Sequence, residues 1–282
     1  MKSTLDPSIH IREAWALTGT YRTFYHTAGS GPALILLHGA GGEGSHFLPI
    51  LPSLAETHRV IVPDIMGHGQ SEGPRIGYTQ ADYTRWLASL MDAMDLSAAD
   101  LVGHSHGGAI ALRFAHEHPG RVNRLVLVNS ISLGSPSLRG TLKLLRATFS
   151  RSPERSRELA GQVMFSGTEE ERREKAEQLL SGEDAIRKGV AGFLWMFART
   201  WQTGMPAPRR RLRELRTPTL LIWGEDDSYF RISHARRAAS LIPRSQIVAI
   251  SGAAHAPFVE RPEMFSRLLL SFLEAGAADQ AD

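Results

Sequence analysis

The sequence of 282 residues contains no cysteine. This absence excludes disulfide bonds, a thiolate nucleophile and any metal site with cysteine ligands. Long apolar runs are also missing, because no stretch approaches the ~20 residues that a membrane-spanning helix requires. The first residues, MKSTLDPSIH, lack the apolar segment of a secretion signal. We therefore expect a cytoplasmic protein without a membrane partner.

A large excess of charge is absent too. The chain carries 32 basic and 29 acidic residues, for a formal net charge of +3, and the basic residues are spread along its length. Such a distribution gives little support to nucleic-acid binding, so no nucleic-acid partner is expected. With 42% hydrophobic and 22% charged residues, the chain is typical of a globular protein with one main domain and an insertion. A homo-oligomer is compatible with this composition.

Short apolar runs alternate with amphipathic helical patterns along most of the chain. A helix is predicted over residues 80–95, where the apolar side chains fall on one face. The alternation predicts a parallel sheet that helices cover on both faces, preceded by an antiparallel hairpin of residues 13–17 and 21–26. The other predicted strands cover residues 33–37, 60–62, 101–102, 125–128, 219–223 and 246–250.

The alternation breaks between residues 134 and 213, where helical patterns occur without a convincing buried strand. We interpret this segment as a helical insertion. The predicted organisation is therefore a core made of residues 1–133 and 214–282, with residues 134–213 inserted after the strand at 125–128.

A serine lies where the predicted strand at 101–102 gives way to a helix. The segment Gly103-His104-Ser105-His106-Gly107 matches G-x-S-x-G, in which the glycines allow a tight strand-to-helix turn that exposes the serine hydroxyl. Catalytic groups gather at the carboxyl ends of parallel strands, which favours a nucleophile. A lone match is weak, however, because a glycine-rich turn with Ser105 as a helix N-cap has the same sequence.

Two later strand ends supply the partners that a nucleophilic serine needs. A serine hydroxyl becomes a good nucleophile when a histidine accepts its proton and a carboxylate orients that histidine. Asp226 and Asp227 follow the strand at 219–223, and His255 follows the strand at 246–250. The order along the chain is therefore Ser, Asp, His.

This order and the serine turn resemble the α/β-hydrolase family over roughly residues 21–273. The segments that carry the resemblance are LLHGAGG at 36–42, PDIMGHGQS at 63–71, VGHSHGG at 102–108, LIWGEDD at 221–227 and SGAAHAPFVERPEMF at 251–265. The family's acid usually occupies the fourth place of G-x-x-D, which corresponds to Asp227 here rather than Asp226. His255 matches the family's late histidine, although Ala254 stands where glycine is more usual.

The resemblance implies an α/β-hydrolase fold, with a mostly parallel central sheet flanked by helices and a helical lid inserted after the strand at 125–128. It implies Ser105, Asp227 and His255 as catalytic residues, and the backbone N–H groups of Ala40 and His106 as the oxyanion hole. Packing inside the lid would explain its aromatic residues as well as substrate contact would. The lid residues best placed to contact an apolar substrate are Phe193, Trp195, Phe197 and Trp201.

Histidines near these motifs raise the alternative of a metal site. His38, His68, His104 and His106 are the candidates. Alternate residues on a tight turn diverge, and no acidic cluster completes a site. Neither a metal ion nor a cofactor is therefore expected.

The favoured activity is hydrolysis of a carboxylic ester with a small or medium-sized acyl group. Carbon–carbon bond hydrolases that cleave vinylogous diketones share the triad and the lid, and they are the alternative. Their pattern usually carries proline and glycine in the early H-G loop, asparagine before the serine and tryptophan after the histidine. This chain has Gly41-Gly42, His104 and Ala256 there. A small-molecule binding protein without turnover is a third interpretation, which the intact Ser, Asp and His set disfavours.

Overall fold

An eight-stranded sheet forms the centre of the protein in a computed structural model that describes residues 9–74, 78–179 and 207–278. The strand order is β1-β2-β4-β3-β5-β6-β7-β8. Within it, β2 pairs antiparallel with β1 and β4, and the pairs from β4 to β8 are parallel. The predicted mostly parallel sheet is therefore confirmed. The strands are β1 (Arg12–Thr18), β2 (Tyr21–Ala28), β3 (Ala33–Leu37), β4 (Arg59–Pro63), β5 (Ala99–His104), β6 (Val122–Val128), β7 (Thr219–Gly224) and β8 (Ser245–Ile250).

Helices cover both faces of this sheet. Those in the described part of the chain are α1 (Leu51–Ala55), α2 (Gln80–Ala93), α3 (His106–Glu117), α4 (Leu138–Phe149), α5 (Pro153–Met164), α6 (Glu169–Leu179), α7 (Arg209–Glu214), α8 (Ile232–Ala239), α9 (Pro257–Glu260) and α10 (Pro262–Ala278). Helix α3 packs on β5 and β6, α8 packs on β7 and β8, and α1 packs on β4 and α10. Within the described residues, no helix has both the length and the apolarity that crossing a membrane requires.

The core consists of two apolar clusters, one on each face of the sheet, because successive side chains of the central strands point to opposite faces. On β3, Ile35 and Leu37 face the cluster that contains apolar side chains of α2, α3 and α8. Leu34 and Leu36 face the opposite cluster, which α1, α9 and α10 cover. Successive side chains of a strand point to opposite faces, so a strand buried on both faces needs an unbroken apolar run. This is why the central strands could be recognised from sequence.

Helix α2 begins as its sequence predicts but ends earlier. Thr79 and Asp82 form a capping box at its start, in which each side chain accepts from the other residue's backbone N–H. The predicted helix extends to residue 95, whereas the observed helix ends at Ala93. Asp95 adopts a φ of 56°, a left-handed conformation that a helix cannot continue through.

The segment between β6 and β7 is helical where the structure describes it. Helices α4, α5 and α6 follow β6, and α7 precedes β7. Helix α5 packs against both α4 and α6. The division into a core and a 134–213 lid stays a prediction. The four lid aromatics Phe193, Trp195, Phe197 and Trp201 lie outside the described residues.

Candidate active site

Ser105 joins β5 to α3 in a strained backbone conformation. Its φ is 50° and its ψ is −110°, a combination that costs a non-glycine residue about 1–3 kcal/mol. The Ser105 N–H donates to the Val128 carbonyl oxygen at 2.9 Å, and the Ser105 carbonyl oxygen accepts from the Ile131 N–H at 3.3 Å. The Ser105 side chain makes no capping hydrogen bond to α3. Ser105 thus occupies the N-cap position of α3, but its side chain does not cap the helix.

The glycines around Ser105 allow α3 to start directly against the sheet. A Cβ added to Gly107 would lie 2.3 Å from the Leu37 carbonyl oxygen of β3. A Cβ added to Gly103 would lie 2.5 Å from the Gly107 carbonyl oxygen. These contacts are with backbone atoms, which cannot move aside as a flexible side chain can. The sequence G-x-S-x-G is thus a steric requirement of this turn.

Asp227 and His255 form a buried hydrogen-bonded pair. The His255 Nδ1 lies 2.8 Å from the Asp227 Oδ2, and both side chains are at most 3% exposed. Because a carboxylate accepts, Nδ1 is the ring nitrogen that donates to Asp227, which leaves Nε2 to face another group. The Asp227 Oδ1 accepts from the N–H groups of Tyr229 and Phe230, each at 2.8 Å. These bonds fix the carboxylate and, through it, the imidazole.

Asn129, which the sequence analysis missed, is the fourth donor to the Asp227 carboxylate. Its Nδ2 lies 2.6 Å from the Asp227 Oδ2 and 3.3 Å from the Ala254 carbonyl oxygen. Its Oδ1 accepts from the Gly224 N–H at 3.1 Å. Asn129 follows β6 with a φ of 42°, a region that asparagine tolerates better than most residues. The sequence signal for Asn129 was its position directly after a strand. An ordinary turn residue occupies the same kind of position, so this signal does not identify a site residue.

Glu260 is a second residue that the sequence analysis missed. It is buried, and its Oε1 accepts from the Ala254 N–H at 2.7 Å while its Oε2 accepts from the Ser166 N–H and hydroxyl, each at 2.7 Å. The His255 N–H donates to the Met164 carbonyl oxygen at 3.0 Å. The loop that carries His255 is therefore held between α9 and the end of α5. The segment Glu260-Arg261-Pro262 gave no sign of this, because it has the sequence of an ordinary helix boundary.

The loop after β3 lies against Ser105. A Cβ added to Gly39 would be 3.2 Å from the Ser105 Cβ, so the next residue, Ala40, is close to the serine. In the described part of the chain, the N–H groups of Ala40 and His106 donate no hydrogen bond. His106 is the first residue of α3, where helix geometry leaves N–H groups unpaired. Within the described residues, neither amide is therefore committed to a protein acceptor.

His38 and His104 are engaged in structural hydrogen bonds. The His38 Nδ1 donates to the Gly39 carbonyl oxygen at 2.7 Å, and its Nε2 accepts from the Ile65 N–H at 2.9 Å. The His104 Nε2 donates to the His255 carbonyl oxygen at 2.8 Å. Burial holds the pKa of both imidazoles well below the usual histidine value, so both are neutral. No three His, Asp or Glu side chains of the described residues are placed to share a metal ion.

The structure brings the predicted site residues together to different degrees. Asp227 and His255 are bonded directly, and Ser105 is placed beside their loop because the neighbouring His104 bonds to the His255 carbonyl. Asp226, the other candidate acid, is exposed, and its N–H donates to the Ala253 carbonyl oxygen. The positions of the predicted lid aromatics fall outside the described residues.

Comparisons with known proteins identify the family to which this fold belongs. The family model of the alpha/beta hydrolase fold matches residues 32–262. A 2-hydroxymuconate semialdehyde hydrolase from Pseudomonas sp. (strain CF600) is 32% identical over 274 residues, covering 91% of this chain and 92% of that protein. A 2-hydroxy-6-oxo-6-phenylhexa-2,4-dienoate hydrolase from Burkholderia cepacia is 29% identical and covers 98% of both chains. The solved esterase RhEst1 from Rhodococcus sp. ECU1013 is 27% identical with a TM-score of 0.78, covering 94% of this chain and 98% of that one. The chain belongs to the α/β-hydrolase fold family.

Proposed function

We propose that this hydrolase cleaves a carboxylic ester of a small or medium-sized acyl substrate with Ser105 as nucleophile. The observation that carries the proposal is the buried Asp227–His255 hydrogen bond beside a serine held in a strained turn. A structural role for these groups gives no reason to strain Ser105 or to leave its hydroxyl without a capping bond. Buried polar groups that converge on one point are typical of catalytic sites.

The proposed reaction has two halves. His255 Nε2 takes the Ser105 hydroxyl proton as Oγ attacks the ester carbonyl carbon, and the resulting oxyanion accepts from the N–H groups of Ala40 and His106. The imidazolium then gives its proton to the departing alcohol, which leaves an acyl-enzyme. Water, deprotonated by His255, attacks the acyl carbon, and the imidazolium then gives that proton to Ser105 Oγ as the acid is released. Asp227 remains ionised and stabilises the imidazolium in both halves.

Carbon–carbon bond cleavage is the second candidate, because the two relatives described above have names that specify oxo-dienoate and semialdehyde substrates. Two observations favour an ester. His104 stands where such hydrolases usually have asparagine, and its Nε2 is already bonded to the His255 carbonyl. Ala256 stands where they usually have tryptophan, and it is fully buried. The asparagine amide and the tryptophan indole of that pattern are therefore absent from these two positions.

A hydrolysis screen at controlled pH separates the two candidates. The substrates are p-nitrophenyl esters of short to long acyl chains and a vinylogous diketo acid. Ser105→Ala is expected to lower kcat for the accepted ester by roughly 10³ to 10⁶. Ser53→Ala is the matched control, since Ser53 lies on α1 and its hydroxyl bonds only to the Ile50 carbonyl among the described residues. Preferential cleavage of the diketo acid would replace the ester proposal with the second candidate.

Labelling with a fluorophosphonate tests the nucleophile without a substrate. The wild-type protein should bind one equivalent of reagent covalently at Ser105, because only an activated hydroxyl reacts quickly. Ser105→Ala should not be labelled, and Ser53→Ala should be labelled as the wild type is. A wild-type protein that remains unlabelled would contradict the proposed nucleophile and favour the binding protein without turnover.

A further inference from the structure

The imidazole of His106 is a buried polar group that the proposed mechanism does not use. Only the backbone N–H of His106 enters the oxyanion hole, while its side chain is fully buried at the start of α3. The His106 ring meets the Tyr83 ring edge-on, with 4.8 Å between centroids. Among the described residues, neither His106 Nδ1 nor Nε2 has a hydrogen-bond partner. A neutral imidazole thus presents one free donor and one free acceptor.

Gln80 is a second buried polar side chain in the same region. It is the first residue of α2 and is 1% exposed, and its amide nitrogen and amide oxygen have no hydrogen-bond partner among the described residues. Gln80 and Tyr83 are three positions apart and therefore share one face of the helix. Helix α2 packs against α3, and the contact between the Tyr83 and His106 rings lies where these two helices meet. Such groups are rarely left unpaired in a protein interior.

The groups around this region are uncharged at neutral pH. Burial is the main cause that lowers the pKa of His106 to about 3, and the neighbouring His68 adds to the effect. Burial also lowers the pKa of His68 and raises the pKa values of Tyr78 and Tyr83. The Asp82 carboxylate, whose charge also raises the pKa of Tyr83, is bonded to Thr79 and Arg85. The region therefore offers hydrogen bonds but no positive charge. Burying a substrate carboxylate there would be unfavourable, because no opposite charge would compensate it.

We propose that Gln80 and His106, on either side of Tyr83, form a neutral hydrogen-bonding subsite that binds an uncharged oxygen of the substrate, such as an ether, hydroxyl or carbonyl oxygen. The inference rests on the proposed ester hydrolysis, because the His106 N–H then bonds the reacting carbonyl oxygen. A group that contacts the His106 ring is consequently close to the scissile bond. The subsite favours a polar, uncharged acyl or alcohol portion over an apolar one of equal size, and disfavours a carboxylated one.

The test compares two esters that differ by a single atom. The p-nitrophenyl esters of methoxyacetate and butyrate have the same shape, with an ether oxygen in the first replacing a methylene group in the second. The measured quantity is the ratio of their kcat/KM values in each variant, because the intrinsic reactivity of the two esters cancels when ratios are compared. Gln80→Leu and His106→Leu should each lower this ratio about tenfold, the effect of one lost hydrogen bond. Gln246→Leu, an exposed site at the start of β8, should leave the ratio unchanged.

The outcomes separate the subsite from the proposed function. If the wild type hydrolyses the esters but both variants keep its ratio, the subsite is overturned and ester hydrolysis stands. A rise in Tm of Gln80→Leu with an unchanged ratio would show that the amide is only an unsatisfied core group. If the wild type hydrolyses neither ester, the proposed function fails and the subsite fails with it. Faster hydrolysis of a succinate monoester than of either neutral ester would also overturn the subsite.

Discussion

Replacing Asn129 with alanine should weaken both the fold and the catalytic site. The substitution removes the 2.6 Å bond to the Asp227 carboxylate and leaves the Gly224 N–H without its acceptor. A hydrogen bond to a charged group contributes about 1.5–3 kcal/mol, and a neutral one about 1 kcal/mol. Alanine at the observed φ of 42° costs roughly 1 kcal/mol more, because asparagine visits this region more readily. The free energy of unfolding should therefore fall by about 3–5 kcal/mol.

The effect on activity follows from the same bond. Asn129 holds the carboxylate that orients His255, so losing a contribution of about 1.5–3 kcal/mol from the transition state lowers kcat/KM roughly 10- to 100-fold. Urea unfolding measures the first quantity, and ester hydrolysis well below the Tm of the variant measures the second. Asn123→Ala is the matched control, since Asn123 lies exposed on β6, the strand that Asn129 follows. Wild-type stability together with wild-type kcat/KM in Asn129→Ala would refute the assignment of Asn129 as the residue that positions Asp227.

Two further predictions concern the turn and the buried histidines. Gly107→Ala places a Cβ 2.3 Å from the Leu37 carbonyl oxygen, so α3 must move away from β3. We expect Gly107→Ala to lose about 3 kcal/mol or more of unfolding free energy. In the control Gly120→Ala, the added Cβ meets no atom within 4 Å, so its unfolding free energy should stay within about 0.5 kcal/mol of the wild-type value. Equal stability of the two variants would contradict the steric argument. Burial lowers the native pKa of His106 to about 3, so below the unfolded pKa of about 6.5 the unfolded chain binds a proton that the native chain does not. The stabilisation from the neutral native imidazole is complete above that pH and is lost as the pH falls. His106→Leu should therefore reduce the slope of unfolding free energy against pH by about 1.4 kcal/mol per pH unit between pH 6 and 4, as measured by urea unfolding. Parallel pH profiles of wild type and variant would show that the native imidazole is protonated in this pH range.

The sequence predicted the elements that depend on local patterns. The buried strands β3 and β7 were recognisable because both of their faces are covered, which leaves a nearly unbroken apolar run, whereas β5 (Ala99–His104) showed this signal only at residues 101–102. Chain order and the family resemblance predicted that Asp227 pairs with His255. The hydrogen bond between them fits that prediction, and their catalytic roles stay a prediction.

The contacts that were missed depend on strand order rather than on local sequence. Asn129 meets Asp227 because β6 and β7 are neighbours in the sheet, a fact that the polar residue after β6 does not reveal. Glu260 meets Ser166 across 94 positions of sequence, and no periodicity predicts such a pair. The early end of α2 was also missed, because Met94 continues the apolar pattern while the backbone of Asp95 has already left the helix.

The pairing of β6 with β7 has a consequence for how the site assembles. The turn at Ser105 is built from β5, α3 and the end of β6, which are close in sequence, whereas Asn129 and Asp227 meet across 98 positions. The entropic cost of closing a loop grows slowly with its length, so the intervening helices can change in number at little cost to the pairing. Closing a long loop costs entropy before the contact is gained, so contacts of such long range are slow to form. We therefore expect a refolding chain to recover its helical circular dichroism before Ser105 becomes reactive toward a fluorophosphonate, so that chemical reactivity marks the last step of folding.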